Sequence, residues 1–174
     1  MALRALPALL AATCLLSFSP CASAGSWPRV SHLRDGSTIS VWQNGRVVQR
    51  DRHGALLAES YCGSYTRYRR WVGFMSSFRT GVLTRDRALV ARSVAFPFRW
   101  NHGRPGHSTV IADRVELLRD YAAIFSVGVV RTIRAADPRA LFCRDVSMVM
   151  LGSGVVWGDE PGGRPAVVSI NTPA

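Results

Sequence analysis

The chain has 174 residues and a formal net charge of +11, and every cation in it is an arginine. That length gives one compact domain a real core and is too short for two. Past an N-terminal apolar run, no segment reaches the ~20 apolar residues that a membrane helix needs.

Residues 1–24 read as a signal peptide. Arg4 supplies a positive start, Ala5 to Phe18 is an almost unbroken apolar run, and Ala22-Ser23-Ala24 forms a small-x-small cleavage site before Gly25. The run is too short to span a bilayer. A lipid-anchored cysteine is disfavoured, because Thr13 precedes Cys14 and Pro20 precedes Cys21. The expected product is periplasmic or secreted, cleaved near Ala24-Gly25, with 21 arginines against 11 acids for a charge of +10.

Residues 25–54 are expected to carry a β-hairpin. Ile39–Gln43 and Arg46–Arg50 flank Asn44-Gly45, the dipeptide of a type I′ turn. Leu57 to Phe78 then reads as a helix, with Tyr61, Tyr68, Trp71, Val72, Met75 and Phe78 recurring at helical spacing as a core stripe. Thr84 is placed to cap a shorter helix through Ser93. Ala95–Trp100 reads as a strand that Pro97 pushes towards an edge or a bulge.

Asn101 to Thr109 is a loop by its Gly103, Pro105 and Gly106. One long helix is expected between Asp113 and Ala136. Asp113 and Glu116 form its capping box, and Ile111, Val115, Leu118, Ala122, Phe125, Val129 and Ile133 its apolar stripe. Asp137-Pro138 ends it. Leu141–Met150, Val155–Trp157 and Ala166–Ile170 read as strands joined by Gly-rich turns. No internal repeat is evident.

Cleavage would leave two cysteines, Cys62 and Cys143. In an oxidising compartment they argue for one disulfide, worth about 4–5 kcal/mol for a loop of some eighty residues. Two free buried thiols are the first alternative. A cysteine-hydrolase set of Cys62 with His102 or His107 and Asp113 is the second, although Cys62-Gly63-Ser64 carries no thiol-protease signature. His102, His107 and Asp113 are also a candidate zinc set, but the pattern falls short of a structural or catalytic site, so no metal is expected. Gly152-x-Gly154 lacks the third glycine of a dinucleotide fingerprint, and no cofactor is expected.

Arg67, Arg69, Arg70, Arg79, Arg85, Arg87 and Arg92 crowd one stretch. Codon bias alone could exclude lysine, yet guanidinium forks also suit carboxylates and phosphates. In an exported protein this points to an acidic protein or an anionic envelope component rather than nucleic acid. Arg99, Trp100, Arg104 and His107, in and beside the 101–109 loop, are the candidate recognition residues, since Arg and Trp dominate interface hot spots. The chain is expected to be a monomer or a homodimer.

A helix, a short helix, Val94–Phe98, a long helix with Tyr121 and Ile124-Phe125, then Val149–Trp157 and Ser169-Ile170-Asn171 follow in order. Over about residues 55–172 this order resembles exported bacterial members of the nuclear transport factor 2-like, cystatin-like superfamily. The resemblance implies an α+β domain over 55–174, with a cone-like curved antiparallel sheet packed on helices and the N-terminal hairpin as an addition. In the enzymes of that superfamily an Asp or His inside the cone acts as base. Here the candidate strands bring almost only apolar side chains, and no matching acid is found. The expectation is therefore a non-catalytic exported binding protein, in its sharpest form an inhibitor or immunity-type factor for an envelope-acting enzyme. The alternative is a small-molecule binder or His-assisted enzyme using the cone pocket.

Overall fold

A computed structural model describes residues 27–64, 66–103, 106–144 and 148–172. The signal-peptide reading of residues 1–24 and the candidate Arg104 lie outside them. The described chain begins with four strands, β1 (Arg29–His32), β2 (Thr38–Val41), β3 (Arg46–Arg50) and β4 (Leu56–Tyr61), paired antiparallel in chain order.

Three near-identical turns join these strands at nine-residue intervals. Each opens at Leu33, Trp42 or Asp51 and places a glycine three residues later, with φ of +80°, +82° and +83° at Gly36, Gly45 and Gly54. The glycine amide donates to the opening carbonyl at 3.0, 2.9 and 3.0 Å, and the opening amide donates to the carbonyl after the glycine. The left-handed conformation is open to glycine without strain. The hairpin at Asn44-Gly45 therefore forms, but not on a two-residue type I′ turn. Gly45 has positive φ and Asn44 does not, so a turn plus one left-handed residue closes the loop, with Asn44 Oδ1 accepting from the Arg46 amide. The recurrence also overturns the expectation of no internal repeat. It escapes a sequence scan because the turns recur while the strands between them vary.

Leu57–Tyr61 belong to β4 rather than to a helix, because they complete the ladder on β3, with Arg46 opposite Tyr61. Cys62 and Gly63, both at positive φ, then turn the chain. Helix α1 starts later, at Tyr68–Thr84, and buries Trp71, Met75, Phe78 and Val82 on one face. Helix α2 (Arg87–Arg92) is capped by Asp86, whose carboxylate accepts from the Leu89 amide; Thr84 instead donates inside α1 to the Thr80 carbonyl. Gly81 lets the two helices close up, since a Cβ there would stand 3.1 Å from Leu89 Cγ.

The expected long helix is three pieces: α3 (Arg114–Arg119), α4 (Tyr121–Ile124) and α5 (Val127–Ala135). Asp113 caps α3 as expected, accepting from the Val115 and Glu116 amides, while Glu116 reaches back to the Ala112 amide. The breaks near Asp120 and at Phe125-Ser126 rotate the buried face. Val115 of the expected stripe is 74% exposed, and Leu117, Tyr121 and Ile124 are buried in its place. Phe125, Val129 and Ile133 keep their inward positions.

Strands β5 (Val94–Asn101), β6 (Ser108–Ile111), β7 (Phe142–Arg144), β8 (Met148–Leu151), β9 (Val156–Asp159) and β10 (Ala166–Asn171) form a second sheet in the order β6-β5-β10-β9-β8-β7. All its pairs are antiparallel except β5 with β10. The single strand expected over 141–150 is two strands paired on each other. Pro97 lies where the β5–β10 register shifts, which accommodates its missing amide in an interior strand. The fold is mixed α+β, with one core formed by the six-stranded sheet and the helices.

Cys62 and Cys143 are disulfide-bonded, with Cα atoms 5.3 Å apart, and so fasten the end of β4 to β7. The β2–β3 turn rests on this bridge: a Cβ at Gly45 would run into Cys143 Sγ. Gly45 is thus required twice, by its φ and by its neighbour.

Candidate functional site

Successive strand residues point to opposite faces, and this governs what the β5–β6 hairpin can present. Arg99 is exposed and pairs in register with Val110 and Ser169; Trp100 pairs with Thr109 and Ile170. The two candidate residues therefore stand on opposite faces of one strand. Trp100 is half-buried against the core, its indole N–H donating to Thr172 Oγ1 at 2.9 Å. The His102 ring lies over it, centroids 4.2 Å apart, and His102 Nε2 is 2.9 Å from Thr109 Oγ1. His107 is exposed, and its carbonyl accepts from the His102 amide at 3.1 Å, closing the base of the loop.

On the Arg99 face a polar cluster continues across the strands. Asn101 Nδ2 donates to Ser169 Oγ and Asn171 Oδ1, and Asn171 Nδ2 donates to the Gly154 carbonyl, which also receives the Trp157 indole N–H. Arg144 lies over the Trp157 ring at 5.4 Å. Val110, 58% exposed, adds an apolar patch beside Arg99.

This arrangement presents exposed cationic, apolar and hydrogen-bonding groups on and beside β5. Cys62 and Cys143 are bonded to each other and offer no thiolate. Among the described residues, no three His, Cys, Asp or Glu gather as a metal-binding group, and His102 and His107 are not brought together with Asp113 in one. Over β9 the interior is filled, since a Cβ on Gly158 would meet both Trp71 and Met75 at 2.7 Å.

The crowded arginines of residues 67–92 do not all serve one purpose. Arg79 donates to the Ile133 and Arg134 carbonyls and ties off the C-terminus of α5. Arg87 lies over the Tyr121 ring at 5.1 Å. Among the described residues, two guanidinium–carboxylate pairs form, Arg46–Glu59 and Arg119–Asp120. Hydrogen bonding by Arg119 holds the Asp120 carboxyl below its usual range. Sequence reasoning missed Arg131 and Arg134 of α5, which joined no cluster until the fold set them beside Arg85 and Arg87.

No family model, curated protein or solved structure matches this chain.

Proposed function

We propose that this is an exported, non-catalytic binding protein, an inhibitor or immunity-type factor that docks on an acidic surface of an envelope-acting enzyme. One observation carries the reading: of the 20 arginines among the described residues, two, Arg46 and Arg119, pair with a carboxylate there, leaving a cationic surface for an outside partner. Export is supported by the Cys62–Cys143 bridge, of a kind that persists in oxidising compartments. No helix among the described residues is long and apolar enough to cross a membrane. The helix, strand-pair, helix and four-strand order after Tyr68 supports the nuclear transport factor 2-like reading of the domain, with the meander of β1–β4 as an addition.

In this reading the hairpin tip enters the partner, with Arg99 and Val110 on one side and Trp100 and His102 on the other. The test presents the oxidised mature protein to an envelope extract, then assays the retained enzyme at stoichiometric addition. The expected result is salt-sensitive retention and loss of that enzyme's activity. Retention of nothing, or an enzyme that keeps full activity when bound, overturns the inhibitor reading.

A further inference from the structure

Between the α1–α2 junction and the α4–α5 segment lies a cleft of about 610 Å³. Helical and inter-helical residues line it, with no contribution from either sheet. Its apolar lining comes from Val82, Leu83, Tyr121, Phe125 and Val130. Arg85 and Arg87 flank it from one side, Arg131 and Arg134 from the other.

None of these four guanidiniums forms an ion pair among the described residues. Asp86, between the first two in sequence, accepts from the Leu89 amide. The spacing of Arg131 and Arg134 sets both on one face of α5. Arg79 fixes that helix end by binding the Ile133 and Arg134 carbonyls. Tyr121 supplies a second sign of incomplete satisfaction: its hydroxyl is buried and meets no hydrogen-bond partner among the described residues. Like charges around one apolar hollow repel until an anion enters. The volume falls in the range of small-molecule sites, roughly 300–1,000 Å³.

We propose that this cleft binds an amphiphilic anion, an oxyanion headgroup among the four arginines with an alkyl or aromatic body on the apolar lining. A bare phosphate would satisfy the rim and leave the lining wet; a neutral amphiphile would cover the lining and leave the charges unmet. The site is separate from the β5–β6 hairpin and does not depend on how that hairpin is used.

Calorimetric titration of the oxidised mature protein with dodecyl phosphate, below its micelle concentration, tests this. Inorganic phosphate and dodecyl maltoside are the comparators. The expected result is one site per chain, at least tenfold tighter for dodecyl phosphate than for either comparator. Arg131→Gln with Arg134→Gln should weaken it at least tenfold without changing the melting temperature, since both side chains are exposed. Ala122→Trp, from an exposed lining position, should abolish it by filling the cleft. Equal affinity for dodecyl maltoside, equal affinity for phosphate, or binding unchanged in the double arginine variant overturns the proposal. Should Ala122→Trp fail to fold, the arginine variant decides.

Discussion

Gly158 of β9 lies flat against the Trp71 ring of α1: a Cβ on that glycine would stand 2.7 Å from Trp71 Cζ3 and 2.7 Å from Met75 Cε. The contact sets how closely α1 can ride on the six-stranded sheet. Met75 could swing its terminal methyl away, but Trp71 is a rigid, fully buried ring whose indole N–H donates to Ser64 Oγ. Gly158→Ala should therefore destabilise the protein by about 1–3 kcal/mol, the usual range for overpacking. A denaturant melt checks it, and an unchanged midpoint would mean that α1 sits farther from the sheet.

The same kind of measurement separates the two phases of the helical segment after Asp113. Leu117→Ala should cost about 2–5 kcal/mol, because the side chain is fully buried. Val115→Ala should stay within about 0.5 kcal/mol, because that side chain lies in solvent. The reverse order would restore the unbroken stripe through Val115.

That segment also shows where the sequence was readable. The cap at Asp113 and the stop before Pro138 are local chemistry and were legible. The breaks at Asp120 and Phe125-Ser126 were not, because no Gly or Pro marks them and the apolar residues keep approximate helical period across them. The helix period likewise swallowed Tyr61 into α1, although the β3 ladder and the turn at Cys62-Gly63 hold it in β4. At the candidate site, the sequence placed Arg99 and Trp100 side by side, and strand alternation puts them on opposite faces. Arg85, Arg87, Arg131 and Arg134 came from two distant segments, so only the packing of α5 beside α1 could reveal them as a group.

The bridge joins residues 81 positions apart, and on the chain-entropy model it contributes about 4–5 kcal/mol. A chain beginning at Gly25, denatured without reductant, should therefore show no reactive thiol. Cys62→Ala with Cys143→Ala should lose stability on that scale in a urea melt. A stoichiometric thiol titre in the parent protein would contradict the pairing.

Alkaline pH should unfold the protein through its buried phenols. Burial raises the pKa of Tyr61 and of Tyr121 above the ordinary value of about 10, and the Tyr61 hydroxyl has no partner among the described residues. The folded state thus holds these protons more tightly than the unfolded chain. Their contribution is fully present below pH 10 and is lost progressively as pH rises above it. Tyr61→Phe should leave neutral stability unchanged or raise it by up to about 1 kcal/mol, since it removes an unpaired buried hydroxyl. It should also reduce the alkaline loss, read from melting temperature against pH. An identical alkaline profile in this variant would place the sensitivity elsewhere.

The two faces of β5 make the hairpin reading testable one side at a time. Arg99 is exposed and contributes little to folding, so Arg99→Gln should leave the melting temperature in place. On a captured partner it should slow association and flatten the salt dependence, as rim charges do. Trp100 is built into the fold through its packing, its bond to Thr172 and its stacking with His102. Trp100→Ala should thus cost about 2 kcal/mol of stability whatever the partner does. The ring that reports on that face is His102, whose removal spares the Trp100–Thr172 bond. If His102→Ala weakens binding tenfold or more while Arg99→Gln leaves the association rate and its salt dependence unchanged, the partner covers the Trp100 face. If the effects are reversed, it covers Arg99 and Val110. If neither variant changes affinity or association rate in surface plasmon resonance, the hairpin is not the interface.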